Sequence, residues 1–285
     1  MDVLVSLHPA VLYGLTVVLG LLVGSFLNVV ILRMPARLIH EWQFQCRELL
    51  NLEQSHADDP PASIATGRSR CPHCSQQIAW YDNIPLISWL MLRGRCRVCK
   101  GSISLRYPVI ELLTATLSVI VIWQLGPSTA GLAGLVLTWV LIAGASIDLD
   151  HKLLPDQITL PLIWSGLILN IFAVYTDLES AVIGAIAGYL ILWLVFHLFR
   201  IVTGKEGMGY GDFKLLSAIG AWFGWQVLPS VILLASAVGA MIGIGLILAK
   251  RLGRDVPIAF GPFLAAAGWL MMVSEGALVD FWMLF

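Results

Sequence analysis

The chain is strongly apolar and nearly neutral, which excludes an ordinary water-soluble globular protein. Of its 285 residues, 58% are hydrophobic and 12% are charged, and the formal net charge is -1. Globular domains carry about 25% charged residues, so we expect most of this chain to lie in a membrane.

The first apolar segment, residues 9–32, is predicted to be a retained transmembrane helix. It could be mistaken for a secretory signal, but it lacks a basic leading stretch and stays nearly uncharged over the length of a full span. This helix would make up a first unit, residues 1–33.

Residues 34–106 form a long polar stretch that is predicted to be a small cytosolic domain. The stretch contains two C-x-x-C pairs, Cys71 with Cys74 and Cys96 with Cys99. Four thiolates at this spacing typically converge on one zinc ion in a closed, structural site. Disulfides or redox thiols are the alternatives, and a reducing cytosol disfavours persistent disulfides.

Residues 107–285 are predicted to form a membrane domain of seven further helices. Their apolar runs approach the roughly 20 residues that cross about 30 Å of hydrocarbon. The sequence therefore predicts an all-α polytopic membrane protein with about eight transmembrane helices and a small zinc-stabilised cytosolic domain between helices 1 and 2. The eight predicted spans are 9–32, 107–124, 128–147, 158–175, 180–199, 213–227, 228–249 and 258–275.

The distribution of basic residues predicts the orientation of these spans. If successive spans alternate in direction, all 17 Lys and Arg residues fall on one side. Basic loops face the cytosol in membrane proteins. We therefore expect both termini outside the cytosol and the cysteine-bearing stretch inside it.

Three aspartates at the end of the third predicted span differ in their expected roles. Asp156 follows a proline and precedes an apolar run, so it is expected to cap a helix. Asp148 and Asp150 remain alternatives for a functional acid, because helix boundaries inferred from sequence are uncertain by a few residues. An acid at the edge of the hydrocarbon costs about 2.5–3.5 kcal/mol, so its presence calls for a reason.

A further acid, Asp212, follows the alternating glycines Gly207, Gly209 and Gly211. A nucleotide-binding loop would require a preceding strand, and a hydrophobic helix is predicted there instead. The glycines would let an extended peptide approach the acid, whereas a plain helix cap is the alternative. Two acids brought together with little water can share one proton, as in an aspartic peptidase.

These segments together resemble the bacterial type IV prepilin leader peptidases. The resemblance runs nearly end to end and rests on signatures in the same order, at 24–35, 70–74, 93–99, 147–150 and 209–212. It implies that Asp148 and Asp212 form a catalytic dyad, which cleaves the leader of prepilins and pseudopilins at the cytosolic face of the bacterial inner membrane.

The resemblance also implies a second activity. The new N-terminal residue would be N-methylated with S-adenosylmethionine, and the cysteine-bearing loop marks the bifunctional form. The motifs do not identify the residues that bind the methyl donor. The expected partners are prepilins, pseudopilins and membrane lipid, with no nucleic acid.

Two other classes of protein fit part of the pattern. A presenilin-like intramembrane protease would share the acids without needing the cysteine pairs. A transporter or assembly scaffold with functional carboxylates would not cleave peptides.

Overall fold

The computed structural model describes residues 8–52, 61–64, 67–205, 207–249 and 258–274. Within these ranges the fold is helical and contains no β-strand beyond two isolated bridges. The predicted all-α fold is thus confirmed. The helices are α1 (Pro9–Leu49), α2 (Ile87–Met91), α3 (Arg106–Leu125), α4 (Thr129–His151), α5 (Asp156–Ile171), α6 (Leu178–Thr203), α7 (Tyr210–Phe223), α8 (Leu228–Leu248) and α9 (Gly261–Val273).

The helices fall into two length classes. In the described part of the chain, α1, α3, α4, α6 and the segment Trp225–Leu248 are long and apolar enough to cross a membrane. The other three helices that coincide with predicted spans, α5, α7 and α9, have 16, 14 and 13 residues. At about 1.5 Å per residue they are shorter than the hydrocarbon is thick. The multi-pass character is confirmed, and three of the eight predicted spans are short helices.

The chain divides into two compact units, Met1–Ile122 and Trp123–Phe285. In the first unit, α1 and α3 approach closely at two glycines one turn apart on α1. A side chain on Gly20 would meet the backbone of Ala115, and one on Gly24 would meet the backbone of Glu111. Small residues at such positions let membrane helices pack backbone to backbone. Helix α1 continues through Pro35 to Leu49, so the expected unit boundary at residue 33 lies inside a helix.

In the second unit, α7 is the central helix. It packs mainly against α6 and α5, and nearly every residue from Asp212 to Trp222 is buried. Gly184 of α6 faces Gly220 of α7 so closely that a methyl group on either would overlap the other's backbone. With 14 residues, α7 is too short to cross the hydrocarbon, which agrees with its position enclosed by other helices.

A buried amide holds the far end of α7. Asn170 at the end of α5 donates to the carbonyls of Ala221 (2.9 Å) and Trp222 (2.8 Å). Its side-chain oxygen accepts from the amides of Tyr175 and Thr176. All the hydrogen-bonding capacity of the amide is used, which fixes the α5–α6 connection against α7.

Candidate active site and metal centre

Asp148 lies in the last turn of α4 and is 5% exposed. The helix ends because Lys152 takes a left-handed conformation (φ 53°) and Pro155 follows. The carboxylate oxygen Oδ2 of Asp148 accepts a 3.0 Å hydrogen bond from the backbone amide of Gly261, the first residue of α9. The orphan amides at a helix N-terminus favour negative charge. Asp148 is therefore held by a third segment, which the acid motifs do not contain.

Asp212 lies in the first turn of α7 and is 6% exposed. Its Oδ2 accepts a 3.2 Å hydrogen bond from the amide of Gly209, the N-cap residue. Because Gly209 has no side chain, only this half of a capping box can form. Among the described side chains, Asp212 Oδ1 is fully buried and has no hydrogen-bond partner. Asp212 thus has one oxygen bonded to the start of its own helix and one buried oxygen without a partner among the described residues.

The two acids lie in neighbouring segments that share contacts with Leu154. Leu154, buried after the end of α4, packs between the segments that carry them. A side chain on Gly211 would come within 2.6 Å of Leu154 Cβ. A side chain on Gly261 would come within 2.9 Å of Leu154 Cδ1 and 2.6 Å of Asp148 Oδ2. The glycines are therefore needed for close packing around the acids.

The neighbouring aspartates have other places. Asp150 is exposed, whereas Asp148 is buried, so the two alternatives left open by the sequence differ clearly in hydration. The expectation that Asp156 caps α5 is wrong: Pro155 is the N-cap residue and no side-chain cap forms. Asp156 instead pairs with Lys214 of α7, two residues beyond Asp212. This ion pair joins α5 to α7 at the end where the acids lie.

Sequence reasoning missed Leu154 and Gly261. Leu154 is one apolar residue in a short connection, and nothing in its local pattern distinguishes it. Gly261 is followed by Pro262 at the start of an apolar run, a pairing that predicts a helix start. The contact with Asp148 depends on tertiary structure and has no local signal.

The four cysteines come together in the first unit. The sulfur atoms of Cys71, Cys74, Cys96 and Cys99 all lie within 4.8 Å of one another. Cys71 Sγ and Cys99 Sγ are 3.7 Å apart. A tetrahedral zinc with Zn–S bonds of about 2.3 Å places its sulfurs about 3.8 Å apart. The arrangement fits a zinc ion held by four thiolates, with no position open for substrate.

The two C-x-x-C turns are built alike. In the first, the Cys71 carbonyl accepts from the Ser75 amide, and in the second the Cys96 carbonyl accepts from the Lys100 amide. Ser75 and Lys100 both have positive φ, 57° and 59°. An isolated antiparallel bridge closes each turn, Arg70 with Gln77 and Arg95 with Ser102. Two equivalent knuckles thus present their sulfurs to one point.

Backbone groups favour the thiolate form of Cys71. The amides of Cys74 and His73 donate to the sulfur of Cys71 and lower its pKa to about 6. At Cys99 the backbone of Gly101 also favours the thiolate, but burial and the other three cysteines raise the pKa to about 11. A thiolate is the form that binds a metal ion. His73 is exposed, and its Nε2 lies 3.1 Å from the carbonyl oxygen of Ser102 on the opposite knuckle. The histidine therefore contributes to packing between the knuckles.

Comparison with known proteins matches two family models to this chain. Residues 18–125 match the bacterial peptidase A24 N-terminal domain, and residues 135–244 match the type IV leader peptidase family. The first match contains all four clustered cysteines, and the second contains both acids.

Curated relatives match over most of the chain. A protein of Aeromonas hydrophila is 54% identical over 265 residues, which cover 93% of this chain and 91% of the relative. One of Pseudomonas aeruginosa is 49% identical, over 96% and 93%, and one of Dichelobacter nodosus is 48% identical, over 88% and 87%. All three are named prepilin leader peptidase/N-methyltransferase. No solved structure gives a significant match. The matched domains and the extent of these identities show that this chain belongs to the type IV leader peptidase family.

Proposed function

We propose that this protein is an aspartic prepilin peptidase, with Asp148 and Asp212 as its catalytic dyad, and that it also methylates the trimmed pilin. The observation that supports the peptidase proposal is that two buried acids lie at helix ends in neighbouring segments, each bonded to one backbone amide. The names of the relatives supply the substrate class.

The acid pair is suited to activating water. Two carboxylates close together in a poorly hydrated site share one proton more readily than both ionise. The ionised member takes a proton from a water molecule, which attacks the scissile carbonyl. The protonated member donates to the carbonyl oxygen, and the pair then returns a proton to the leaving amine. Asp212 Oδ1, which has no hydrogen-bond partner among the described residues, would engage the water or the substrate.

The short helices explain how a peptide could reach these acids. Helices α5, α7 and α9 begin at Asp156, Tyr210 and Gly261, around the acids. Non-helical backbone at membrane depth is tolerated where it lines a cavity. A prepilin would place its basic leader in the cytosol and its apolar segment in the lipid of the inner membrane, so that the scissile bond meets the acids.

The cysteine-bearing segment is assigned to the second activity. Four thiolates would hold a structural zinc ion there, and the metal would stabilise a segment of irregular backbone. The methyl group would come from S-adenosylmethionine and be transferred to the new amine of the product. No residue is assigned to the methyl-donor pocket.

The peptidase proposal is tested by replacing each acid with its isosteric amide. Asp148→Asn and Asp212→Asn should each lower the kcat of prepilin cleavage by about 10²–10⁴-fold, because a shared proton can no longer be exchanged within the pair. The measurement is the mass of the product after incubation of purified protein with one prepilin and labelled S-adenosylmethionine.

Asp150→Asn is the matched control, because this exposed acid lies two residues from Asp148. It should cleave at the wild-type rate. Substantial cleavage by either dyad variant would exclude the proposed mechanism. Preferential cleavage of a non-pilin membrane peptide would favour the presenilin-like class, and proton-coupled transport without cleavage would favour a transporter.

A further inference from the structure

One signature of the sequence has no role in the acid pair or in the cysteine cluster, namely the segment from Gly24 to Pro35 of α1. Its polar residues nevertheless make specific contacts within the first unit. Asn28, which is 3% exposed, donates to the carbonyl of Tyr107 at the start of α3 (3.1 Å) and to that of Gly24 (3.2 Å). The bond to Tyr107 fixes the middle of α1 against the start of α3.

A buried acid lies at the same helix contact. Glu111 of α3 is 7% exposed and sits where its backbone meets Gly24. Its carboxylate oxygen Oε2 accepts a 2.9 Å hydrogen bond from the backbone amide of Leu86. An acid in this setting is costly to bury and calls for a purpose. Its long-range partner is a backbone group of the cysteine-bearing segment.

The hydrogen bond that Glu111 accepts from Leu86 holds a strained turn at Leu86. Leu86 has φ 57°, a left-handed conformation that a leucine adopts only where its surroundings impose it. Helix α2 begins at the next residue and carries Trp89. The Trp89 ring packs on Gly94, and its Nε1 donates to the carbonyl of Ile103. Gly94 precedes Cys96 by two residues, so the turn at Leu86 is connected to the start of the second knuckle through α2 and Trp89.

A second charged residue holds the other knuckle. Nη1 of Arg33 donates to the carbonyls of Ser63 (2.6 Å) and Gly67 (2.7 Å), and Nη2 donates to that of Arg68 (3.3 Å). A side chain on Gly67 would overlap the guanidinium, so the glycine is needed for this approach. The carbonyls belong to the chain that leads directly into Arg70 and the first knuckle.

We propose that Arg33 and Glu111 anchor the two halves of the cysteine-bearing segment to α1 and α3, and that they are positioning residues for methyl transfer. The inference rests on the proposed function in assigning methyl transfer to this segment. Each side chain binds backbone groups that precede one of the two knuckles. Arg33 does so from α1, and Glu111 does so from α3. Their described partners all lie in the first unit, whereas those of the two acids lie in the second.

The test compares Glu111→Ala with Glu111→Gln in purified full-length protein. Alanine removes the acceptor of the Leu86 amide, so hydrogen–deuterium exchange over residues 84–94 should rise about tenfold, with exchange in α4 to α7 unchanged. Methylation of the cleaved product should fall about tenfold, with cleavage within about twofold of wild type. Glutamine keeps a side-chain oxygen that can accept from the Leu86 amide, so it should restore both properties.

Arg33→Ala should produce the same separation of activities, with increased exchange over residues 67–71. The matched controls are Glu41→Gln and Arg37→Ala, which alter exposed charges on the same helix α1 and should leave exchange and methylation unchanged.

Unchanged exchange over residues 84–94 in Glu111→Ala would overturn the anchor at Glu111 while leaving the proposed function intact. Equal loss of cleavage and methylation, or a general rise in exchange, would show that these residues only stabilise the fold and would also overturn the inference. Wild-type protein that cleaves without methylating would instead overturn the proposed second activity and, with it, the role of the anchors in that activity.

Discussion

At the scale of single residues, the acid site depends on backbone atoms of glycine residues. Asp148 accepts a hydrogen bond from the backbone amide of Gly261, and Asp212 accepts one from that of Gly209. Backbone donors of this kind are rigid, so they fix the carboxylates without the entropy cost of ordering a second side chain. Space matters as well at Gly261 and Gly211, because Asp148 and Leu154 occupy the room that a methyl group on Gly261 would need, and Leu154 occupies the room that one on Gly211 would need.

We predict that Gly261→Ala impairs cleavage. A Cβ at this position would lie 2.6 Å from Asp148 Oδ2, so either the carboxylate or the start of α9 must move. A displacement of about 1 Å at a catalytic group can cost roughly 10²-fold in rate. The measurement is kcat/KM for a prepilin, with thermal unfolding in detergent as a check on folding.

Gly245→Ala in α8 is the control for this substitution, because a Cβ there meets no atom within 4 Å. It should cleave normally. A Gly261→Ala protein with the wild-type kcat/KM would mean that the contact between α9 and Asp148 has no part in setting the acid's position.

At the scale of secondary structure, the sequence predicts the helices better than it predicts their contacts. Apolar runs and turn residues locate every long helix, because burial in lipid imposes a simple composition. Helices α5, α7 and α9 are predicted as membrane spans but have only 16, 14 and 13 residues. Composition does not distinguish an apolar helix enclosed by other helices from one that faces lipid.

The same distinction applies to the candidate site. The C-x-x-C spacing predicts a four-sulfur cluster because each knuckle is a local turn. Which of Asp148 and Asp150 is buried depends on where α4 ends and on the packing of Leu154. The roles of Arg33 and Glu111 depend on contacts between segments far apart in the chain. Local patterns carry no information on such contacts.

We predict that the paired knuckles hold one zinc ion and that losing one knuckle removes it. Replacing Cys71 and Cys74 together with Ser removes two of four ligands, and a two-ligand remainder cannot close a tetrahedral structural site. Purified wild-type protein should contain about one zinc per chain, and the double variant should contain almost none. Methylation should be lost with the metal. Cleavage should persist.

Cys46→Ser is the matched control, because Cys46 is an exposed cysteine on α1 outside the cluster. It should keep zinc and both activities. A double variant that methylates normally without metal would contradict a structural role for zinc.

At the scale of the whole molecule, the distribution of basic residues is the argument for the orientation of the helices in the membrane. If successive predicted spans alternate in direction, all the Lys and Arg residues fall on one side, together with the ends of α4 and α7 that carry the acids. Asp177, which caps α6, falls on the opposite side and is followed by Glu179. A cytosolic acid site suits a substrate whose leader stays in the cytosol, so orientation and proposed function support each other.

We therefore predict opposite labelling at the two ends of α6. Glu179 and Lys205 are both exposed, one in the first turn of the helix and one just beyond its end. In intact cells, a membrane-impermeant maleimide should label Glu179→Cys well above the parent protein, whose own cysteines set the background. Lys205→Cys should be labelled only after the membrane is opened, because a basic loop is expected in the cytosol. The reverse labelling pattern would put the acids on the outer face of the membrane, where a cytosolic leader could not reach them. The proposed path of the prepilin would then be wrong.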